Sequence, residues 1–187
     1  MKQVKLFGSD EDPVVISSLE YAKAKAVALQ VEELIKPLCD RLKVVGSIRR
    51  NKPTVGDCDF VVMATDANWN KIIPILRNSK VVCAGASLIK VNFPVEGQLF
   101  QVDFYRAIPQ NFGIQELIRT GSADHNMWLA GYAISKGYRL KYSTGLIKDG
   151  VQVAAQTEEG VFCALGLPCP EPEQREIVDG KPVWMKT

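Results

Sequence analysis

Apolar residues recur at helical spacing between Ser17 and Leu38. The recurring positions are Leu19, Ala22, Ala26, Leu29 and Ile35. A spacing of about 3.6 residues, with polar residues in between, predicts an amphipathic helix. Either Ser17 or Ser18 is suited to cap the start of this helix, and Pro37 marks its end. The preceding residues, 1–16, are predicted to form an irregular lead-in or a short strand.

Short runs of apolar and β-branched residues predict strands in the rest of the first half of the chain. These runs cover residues 42–45, 58–64, 86–95 and 98–107. Glu96-Gly97 separates the last two runs and is typical of a hairpin turn. A helix is predicted over residues 66–78, although Pro74 must kink or shorten it because proline lacks an amide donor.

The second half of the chain has a different pattern. Residues 122–136 predict a helix that ends at Gly137. Strands are then predicted at residues 138–142, 145–148 and 151–153. Asp149-Gly150 is a hairpin turn signal between the last two of these strands. A final helix begins near Thr157 and stops near Gly166, and the residues after it are rich in proline.

These elements predict an α+β fold in two parts. Residues 1–108 are expected to form a mixed sheet with helices on one side, and residues 109–187 a small α+β subdomain. The length of 187 residues fits one domain, or a catalytic domain with a small appendage. An apolar content of 47% is sufficient for a hydrophobic core. Because no stretch of about 18 apolar residues occurs, no membrane span is expected.

The formal net charge is +2, which by itself does not indicate a polyanionic partner. The charge is unevenly distributed, because residues 36–52 contain six Lys or Arg and one acid, Asp40, whereas acids outnumber bases after Val151. A local basic cluster can steer an anion even when the total charge is small. The alternative interpretation is an ordinary solvated face.

The five cysteines do not form a CxxC pair, and the chain has one histidine. This composition argues against a structural zinc site and favours reduced, mostly buried thiols. Such thiols are typical of a cytosolic protein. The N-terminal residues reach acids before any long apolar run, so a signal peptide is not expected. We therefore expect a cytoplasmic location.

Three aspartates are candidate metal ligands. Asp57 and Asp59 open a strand that is otherwise apolar, and side chains two apart on a strand share a face at a separation of about 7 Å. Two carboxylates there repel each other unless a cation lies between them. Hard oxygen ligands favour Mg²⁺ or Mn²⁺. Asp103 lies in another predicted strand and would complete a site for two ions if the strands are neighbours. Alternatively, Asp59 begins a turn, and Asp103 pairs with Arg106 or lies at an edge.

Gly46-Ser47 follows a predicted strand and is a candidate anion-binding segment. Glycine lets backbone amides approach an oxyanion closely, and Ser47 adds a hydroxyl. Arg50 supplies a guanidinium group that suits phosphate oxygens. The alternative is a turn at the end of a strand with two solvated arginines.

Together, these motifs resemble a known family. Gly46-Ser47 followed after nine residues by Asp57-x-Asp59 is similar to the signature of polymerase beta-type nucleotidyltransferases. The segments GSIRRNKPTVGDCDFVV and QVDFYRA resemble the family X DNA polymerases (polymerase beta-like), as do Thr120-Gly121-Ser122 with Asn126, Lys136-Gly137 and the segment TEEGVFCALGLPCPEPEQRE. The resemblance covers residues 17–176.

The resemblance implies a palm domain followed by a nucleotide-side, thumb-like subdomain. It implies that Asp57, Asp59 and Asp103 ligate two Mg²⁺ or Mn²⁺ ions, and that Asp103 helps to activate the primer hydroxyl. The implied nucleotide contacts are Gly46, Ser47 and Arg50 for the triphosphate, Thr120 and Gly121 for the sugar, and Asn126 for the minor-groove edge of the base. The role of Arg49 is open between a supporting salt bridge and substrate contact.

Other residues have more ordinary interpretations. His125 is expected to be structural or near the primer, because a metal mechanism needs no histidine base. Trp128 and Tyr132 are interpreted as packing residues rather than as a platform for bases. Phosphate contacts are expected from the basic segment 36–52 and from further cations. These cations are Arg119, Lys136, Arg139 and Lys141.

The sequence also departs from the family. About 45 residues precede Gly46, and no helix-hairpin-helix motif is present, so we expect no 5′-deoxyribose phosphate lyase activity and a reduced grip on downstream DNA. Tyr105 stands where some relatives have arginine, and Ala123 stands where some have an acid. Both changes are expected to loosen nucleotide selection. The length suits a minimal polymerase encoded by a phage or a virus.

Three functions are compatible with these observations. The first is a minimal, monomeric DNA polymerase that adds deoxynucleotides to a primer end or at a gap in DNA during repair. The second is a nucleotidyltransferase whose acceptor is an RNA end, a small molecule or a protein. The third is a nucleic-acid-binding module with a degenerate site.

Overall fold

The computed structural model describes residues 14–185. Most of the predicted lead-in at residues 1–16 therefore lies outside the described residues. The helices are α1 (Tyr21–Ile35), α2 (Gly46–Arg49), α3 (Asp66–Trp69), α4 (Ile72–Ile75), α5 (Phe112–Thr120), α6 (Ala123–Ser135) and α7 (Glu158–Ala164). Short 3-10 turns cover Lys36–Leu38, Pro172–Gln174 and Val183–Met185.

The strands form one large sheet and several small ones. Their bounds are β1 (Val15–Ile16), β2 (Leu19–Glu20), β3 (Arg41–Val44), β4 (Thr54–Val55), β5 (Cys58–Met63), β6 (Lys80–Ala84), β7 (Leu88–Val95), β8 (Gln98–Arg106), β9 (Arg139–Lys141), β10 (Gly145–Lys148), β11 (Val151–Ala154), β12 (Ile177–Val178) and β13 (Lys181–Pro182). The large sheet has the order β3-β5-β8-β7-β6, and β1 also pairs with β8. Strands β5 and β8 are parallel, whereas β3, β7 and β6 run antiparallel to their neighbours.

Helix α1 covers one face of the large sheet. The opposite face, termed the open face, is covered only in part, where Phe112 of α5 packs against Val61 of β5. Helix α1 packs its buried residues, including Val27 and Val31, against alternate strand residues such as Phe60 and Phe104. The intervening strand residues point to the other face because side chains alternate along a strand. This alternation fixes the register, since a shift by one residue would bury polar side chains in the core.

The C-terminal part has a hydrophobic core of its own. Ile114 and Leu117 of α5, Leu129 of α6 and Phe162 of α7 are fully buried there. The antiparallel sheet β11-β10-β9 contributes Leu146 to the same core. The α+β fold class predicted from the sequence is confirmed.

The prediction for α1 was wrong at its start and in its buried face, because Ala22, Ala26 and Leu29 are exposed. The buried positions are Ala24, Val27, Ala28, Val31 and Ile35. The helix begins at Tyr21 after Glu20, whose side chain makes no capping hydrogen bond, because the preceding residues 19–20 pair with β4 as strand β2. Pro74 shortens the predicted helix over residues 66–78, which is split into α3 and α4. The turn at Glu96-Gly97 is confirmed, with φ of 48° and 81° at the two residues.

Several short elements were missed, and the two longest of the missed elements are β6 and α5. Strand β6 is exposed throughout, so its residues lack the alternation that indicates a half-buried strand. Helix α5 has buried polar residues, Gln115 and Glu116, among its apolar ones, which weakens its helical pattern.

The expectation that the cysteines are mostly buried was also wrong. All five thiols are free, but Cys83 and Cys163 are exposed and only Cys58 is fully buried. Within residues 14–185, no helix combines the length and the apolar character that a bilayer span requires.

Candidate active site

The three candidate aspartates meet on the open face of the large sheet. Asp59 of β5 is paired with Asp103 of the parallel strand β8, and Asp57 precedes β5 by one residue. One carboxylate oxygen from each residue lies within 4.8 Å of the others. Asp103 is fully buried, and the other two are partly buried. The sheet therefore brings together the carboxylates that the sequence separates by 44 residues.

Burial and mutual repulsion raise the pKa of two of these carboxyl groups. The pKa of Asp59 rises to about 7, first because of burial and then because of the charges of Asp57 and Asp103. The pKa of Asp57 is raised by burial and by Asp103. Three ionised carboxylates at this spacing repel one another unless a cation binds between them. Their hard oxygen atoms and close spacing fit Mg²⁺ or Mn²⁺.

Gly46 lies directly against this cluster. Its φ is +66°, a left-handed conformation that favours glycine, and a Cβ atom at this position would overlap the Asp59 carboxylate. The neighbouring Val45 amide donates a hydrogen bond of 2.9 Å to the Asp59 carbonyl. The Ser47 hydroxyl oxygen is buried, and no group in residues 14–185 forms a hydrogen bond with it. A buried hydroxyl of this kind is suited to a ligand atom.

Comparisons with known proteins show what the fold is similar to. Residues 117–176 match the family model for the DNA polymerase beta thumb. The fold is similar to that of Leishmania infantum polymerase beta, in the crystal structure of its ternary P/T complex, with a TM-score of 0.75. The chain therefore has a polymerase beta-like fold. Sequence identity to the Leishmania protein is 20%, and the match covers 86% of this chain and 77% of that one. No curated protein matches the chain significantly in sequence.

Several side chains surround Asp103 in the polymerase-like fold. Lys90 of β7 contacts Asp103 Oδ2, Tyr105 donates its hydroxyl to the same oxygen at 3.1 Å, and Gln101 donates to Oδ1 at 3.0 Å. Lys90 is not among the site residues predicted from the sequence. Counting back from the hairpin turn at Glu96-Gly97 places Lys90 opposite Asp103, so the signal was present in the register of that hairpin.

Arg119 also lies at the carboxylate cluster. Its guanidinium carbon is 3.7 Å from the centre of the Tyr105 ring. Its charge lowers the pKa of Asp59, although burial and the neighbouring acids outweigh this effect. Arg119 therefore faces the candidate active site, whereas Lys136, Arg139 and Lys141 are exposed on the C-terminal part.

Arg49 joins the two parts of the chain. It donates hydrogen bonds to Glu158 at 2.7 and 2.9 Å and to the Thr120 hydroxyl at 2.7 Å, and it lies 3.3 Å from Glu116. Arg175, which is buried, also donates to Glu158, at 2.5 and 3.1 Å. Of the two roles left open for Arg49, the structure shows the supporting salt bridge.

The basic segment 36–52 is largely neutralised by acids from the C-terminal part. Four of its six cations take part in ion pairs with Glu116, Glu158 or Glu176. These cations are Arg41, Arg49, Arg50 and Lys52. The basic segment and the acids after it in the sequence thus form ion pairs between the two parts of the chain. Most of the cations in the segment are therefore not free to bind a polyanion.

The predicted nucleotide contacts lie next to one another. Arg50 donates a hydrogen bond to the Thr120 carbonyl and another, of 3.2 Å, to Glu176. Gly121 adopts φ +73° beside the Arg50 guanidinium, and the Gly121–Ser122 peptide bond is cis. Arg50 therefore contacts Thr120 and Gly121 from the other part of the chain, and Gly46 and Ser47 precede it in the same segment.

Asn126 and His125 lie in the first turns of α6. Ser122 caps this helix by accepting a hydrogen bond from the His125 amide at 3.3 Å. Asn126 donates to the Ile118 carbonyl at 2.8 Å, and its Oδ1 is buried without a hydrogen bond to residues 14–185. Burial, followed by the charge of Arg175, lowers the pKa of His125 to about 4.

The aromatic residues of α6 are packed together. The rings of Trp128 and Tyr132 are stacked with centroids 5.3 Å apart, and Trp184 meets Trp128 edge to face at 5.8 Å. Both α6 rings contact the C-terminal core. Lys136 lies 5.4 Å from the centre of the Tyr132 ring.

Proposed function

We propose that this protein is a minimal DNA-directed DNA polymerase that adds deoxynucleotides to a primer 3′-hydroxyl and fills gaps during DNA repair. The observation that carries this proposal is the meeting of Asp57, Asp59 and Asp103, with ligand oxygens within 4.8 Å, beside the Gly46-Ser47 segment. The family X polymerase-like fold supports the same assignment.

The three aspartates would hold two Mg²⁺ or Mn²⁺ ions. Bound divalent ions neutralise phosphate charge and activate a hydroxyl nucleophile in phosphoryl transfer. Asp103 would help to activate the primer hydroxyl, and its pairing with Asp59 in the sheet supports a shared role at the same ions. Burial of Asp103 excludes water from its surroundings, which strengthens electrostatic interactions there.

The remaining side chains would position the nucleoside triphosphate. The buried Ser47 hydroxyl and the Arg50 guanidinium are suited to phosphate oxygens. Thr120 and Gly121 would border the sugar, and the free Oδ1 of Asn126 would accept a hydrogen bond at the base. Arg50 must exchange its contact with Glu176 for the phosphates, so nucleotide binding is expected to loosen that ion pair.

DNA is the proposed partner. The exposed cations Lys136, Arg139 and Lys141 would contact phosphates, which makes binding strongly dependent on salt. The Leishmania polymerase beta structure is described as a ternary P/T complex, and its similarity in fold supports a duplex substrate for this chain.

Primer extension tests the proposed function. Purified protein is given a gapped duplex, Mg²⁺ or Mn²⁺ and each deoxynucleotide separately, with Asp103→Asn as the inactive control. Extension that follows the template base supports the proposal. Extension that ignores the template would remove its templated form. Labelling of an RNA end, a small molecule or a protein in place of DNA would instead favour a different acceptor, and no transfer to any acceptor would favour a degenerate binding module.

A further inference from the structure

Lys90 occupies a central place in a row of paired residues on the large sheet. Cys83 of β6 pairs with Lys90 of β7, Lys90 pairs with Asp103 of β8, and Asp103 pairs with Asp59 of β5. Paired residues on neighbouring strands point to the same face of a sheet. The row therefore places one cation on the same face as the carboxylates.

The contact of Lys90 with Asp103 is direct. The Lys90 ammonium and the Tyr105 hydroxyl share Asp103 Oδ2, while Gln101 binds Oδ1. Asp103 is thus a buried carboxylate with three protein donors. Asp59 differs, because burial and the charges of Asp57 and Asp103 raise its pKa by more than the charges of Arg119 and Lys90 lower it.

We propose that Lys90 is a positioning residue that holds Asp103 in the metal-free protein and leaves it when a divalent cation binds. This inference rests on the proposed function of the carboxylate cluster as a metal site. An ammonium group and a divalent cation compete for the same oxygen and repel each other at short range. Lys90 can withdraw, because its side chain is 29% exposed and its stem is flexible.

The competition has two measurable consequences. Removal of the Lys90 charge strengthens metal binding, because the cation no longer has to displace an ammonium group. The same change lowers the stability of the metal-free protein, because Asp103 is left buried without its counterion. If Lys90 merely packed against Asp103, its replacement would lower the stability of the protein but would not raise its affinity for metal.

The test measures Mn²⁺ binding alone, by isothermal titration calorimetry, with no nucleotide or DNA. The variants are Lys90→Met, which keeps the length of the side chain, and Lys71→Met, which makes the same charge change at an exposed position just before α4. We expect Lys90→Met to bind Mn²⁺ tighter by on the order of tenfold, and Lys71→Met to bind like the wild type. In EDTA, Lys90→Met should melt at a lower temperature than Lys71→Met, and added Mn²⁺ should reduce this difference in melting temperature.

If Lys90→Met does not fold, Lys90→Gln replaces it in the Mn²⁺ titration, because glutamine can still donate a hydrogen bond to Asp103 but carries no charge. Equal or weaker Mn²⁺ binding by the folded Lys90 variant would overturn the role of Lys90 and leave the proposed function intact. Absence of Mn²⁺ binding in both the wild type and the Lys90 variants would overturn the role of Lys90 and the metal site together.

Discussion

Asp103 lies directly opposite Asp59 in the parallel pairing of β8 with β5. This pairing places two carboxylates side by side in a part of the sheet that otherwise alternates between core and open face. A shift of one residue in either strand would turn one carboxylate into the hydrophobic core, at a large cost in desolvation. The position of the cluster is therefore set by the same alternation that builds the core.

Removal of a carboxylate should abolish most of the transfer activity. Asp57→Ala or Asp103→Asn is expected to lower the turnover of primer extension by at least about 100-fold, because a bound metal supplies several kcal/mol of transition-state stabilisation. Asp149→Asn is a matched control at an exposed turn with φ of 49°, which asparagine tolerates. Turnover within twofold of the wild type in the Asp103 variant would contradict the catalytic assignment.

Gly46→Ala should disturb the same cluster through the backbone. The added methyl group would overlap Asp59 Oδ2, and alanine disfavours φ of +66°. We expect weaker Mn²⁺ binding and a lower melting temperature. Gly150→Ala is the control, since Gly150 has φ of +80° but open space around its Cβ position. Gly150→Ala has the same backbone strain as Gly46→Ala but no overlap with a neighbouring side chain. Equal Mn²⁺ affinity in the two variants would show that the contact of Gly46 with Asp59 does not affect Mn²⁺ binding.

The stability of the metal-free protein should depend on the protonation of Asp59. Its pKa is raised from 3.8 to about 7 in the folded state, so the folded protein binds more protons than the unfolded chain between these values. The free energy of unfolding in EDTA should therefore decrease as the pH rises from about 4 to about 7. In denaturant titrations across this range, Asp59→Asn should show a smaller decrease in the free energy of unfolding than the wild type, because Asp57 and Glu116 also have raised pKa values. If the free energy of unfolding of Asp59→Asn changed with pH as in the wild type, a group other than Asp59 would cause the pH dependence.

Much of this site was predictable from residue spacing. Asp57 and Asp59 were identified because two acids at the start of an apolar strand have no place in a core. Asp103 was grouped with them only through the expectation that its strand is a neighbour, which the pairing of β5 with β8 provides. Lys90 was missed because its partner becomes visible only after the hairpin register is counted.

The contacts between the two parts of the chain were not predictable. Arg49 and Arg50 are adjacent in a segment that suggested phosphate binding, yet their partners Glu158 and Glu176 lie more than 100 residues away. Periodicity describes which face of an element is buried, but it carries no information about which distant acid lies opposite a given cation.

The buried ion pairs of Glu158 should be important for stability. Burial tends to raise the pKa of Glu158, but hydrogen bonds from Arg175 and Arg49 lower it below its usual value. Glu158→Gln should reduce the free energy of unfolding by about 3–5 kcal/mol, because buried Arg175 loses its counterion. Glu159→Gln, at the exposed neighbouring position, should change it little.

Equilibrium denaturation at neutral pH measures the free energies of unfolding of Glu158→Gln and Glu159→Gln. The stabilising effect of ionised Glu158 should be lost as the pH falls below the ordinary pKa of about 4.5 and through the lower value of the folded state. Equal stability of the two variants would indicate that the ion pairs only balance the cost of burying them.

Asp57, Asp59 and Asp103 are proposed to hold divalent cations next to the Ser47 segment, and anomalous scattering can locate such cations. Crystals are grown with Mn²⁺ and a non-hydrolysable deoxynucleoside triphosphate. We expect two Mn²⁺ peaks in contact with these carboxylates and the triphosphate beside Ser47. A bound nucleotide with no anomalous peak among the three aspartates would contradict the proposed metal site.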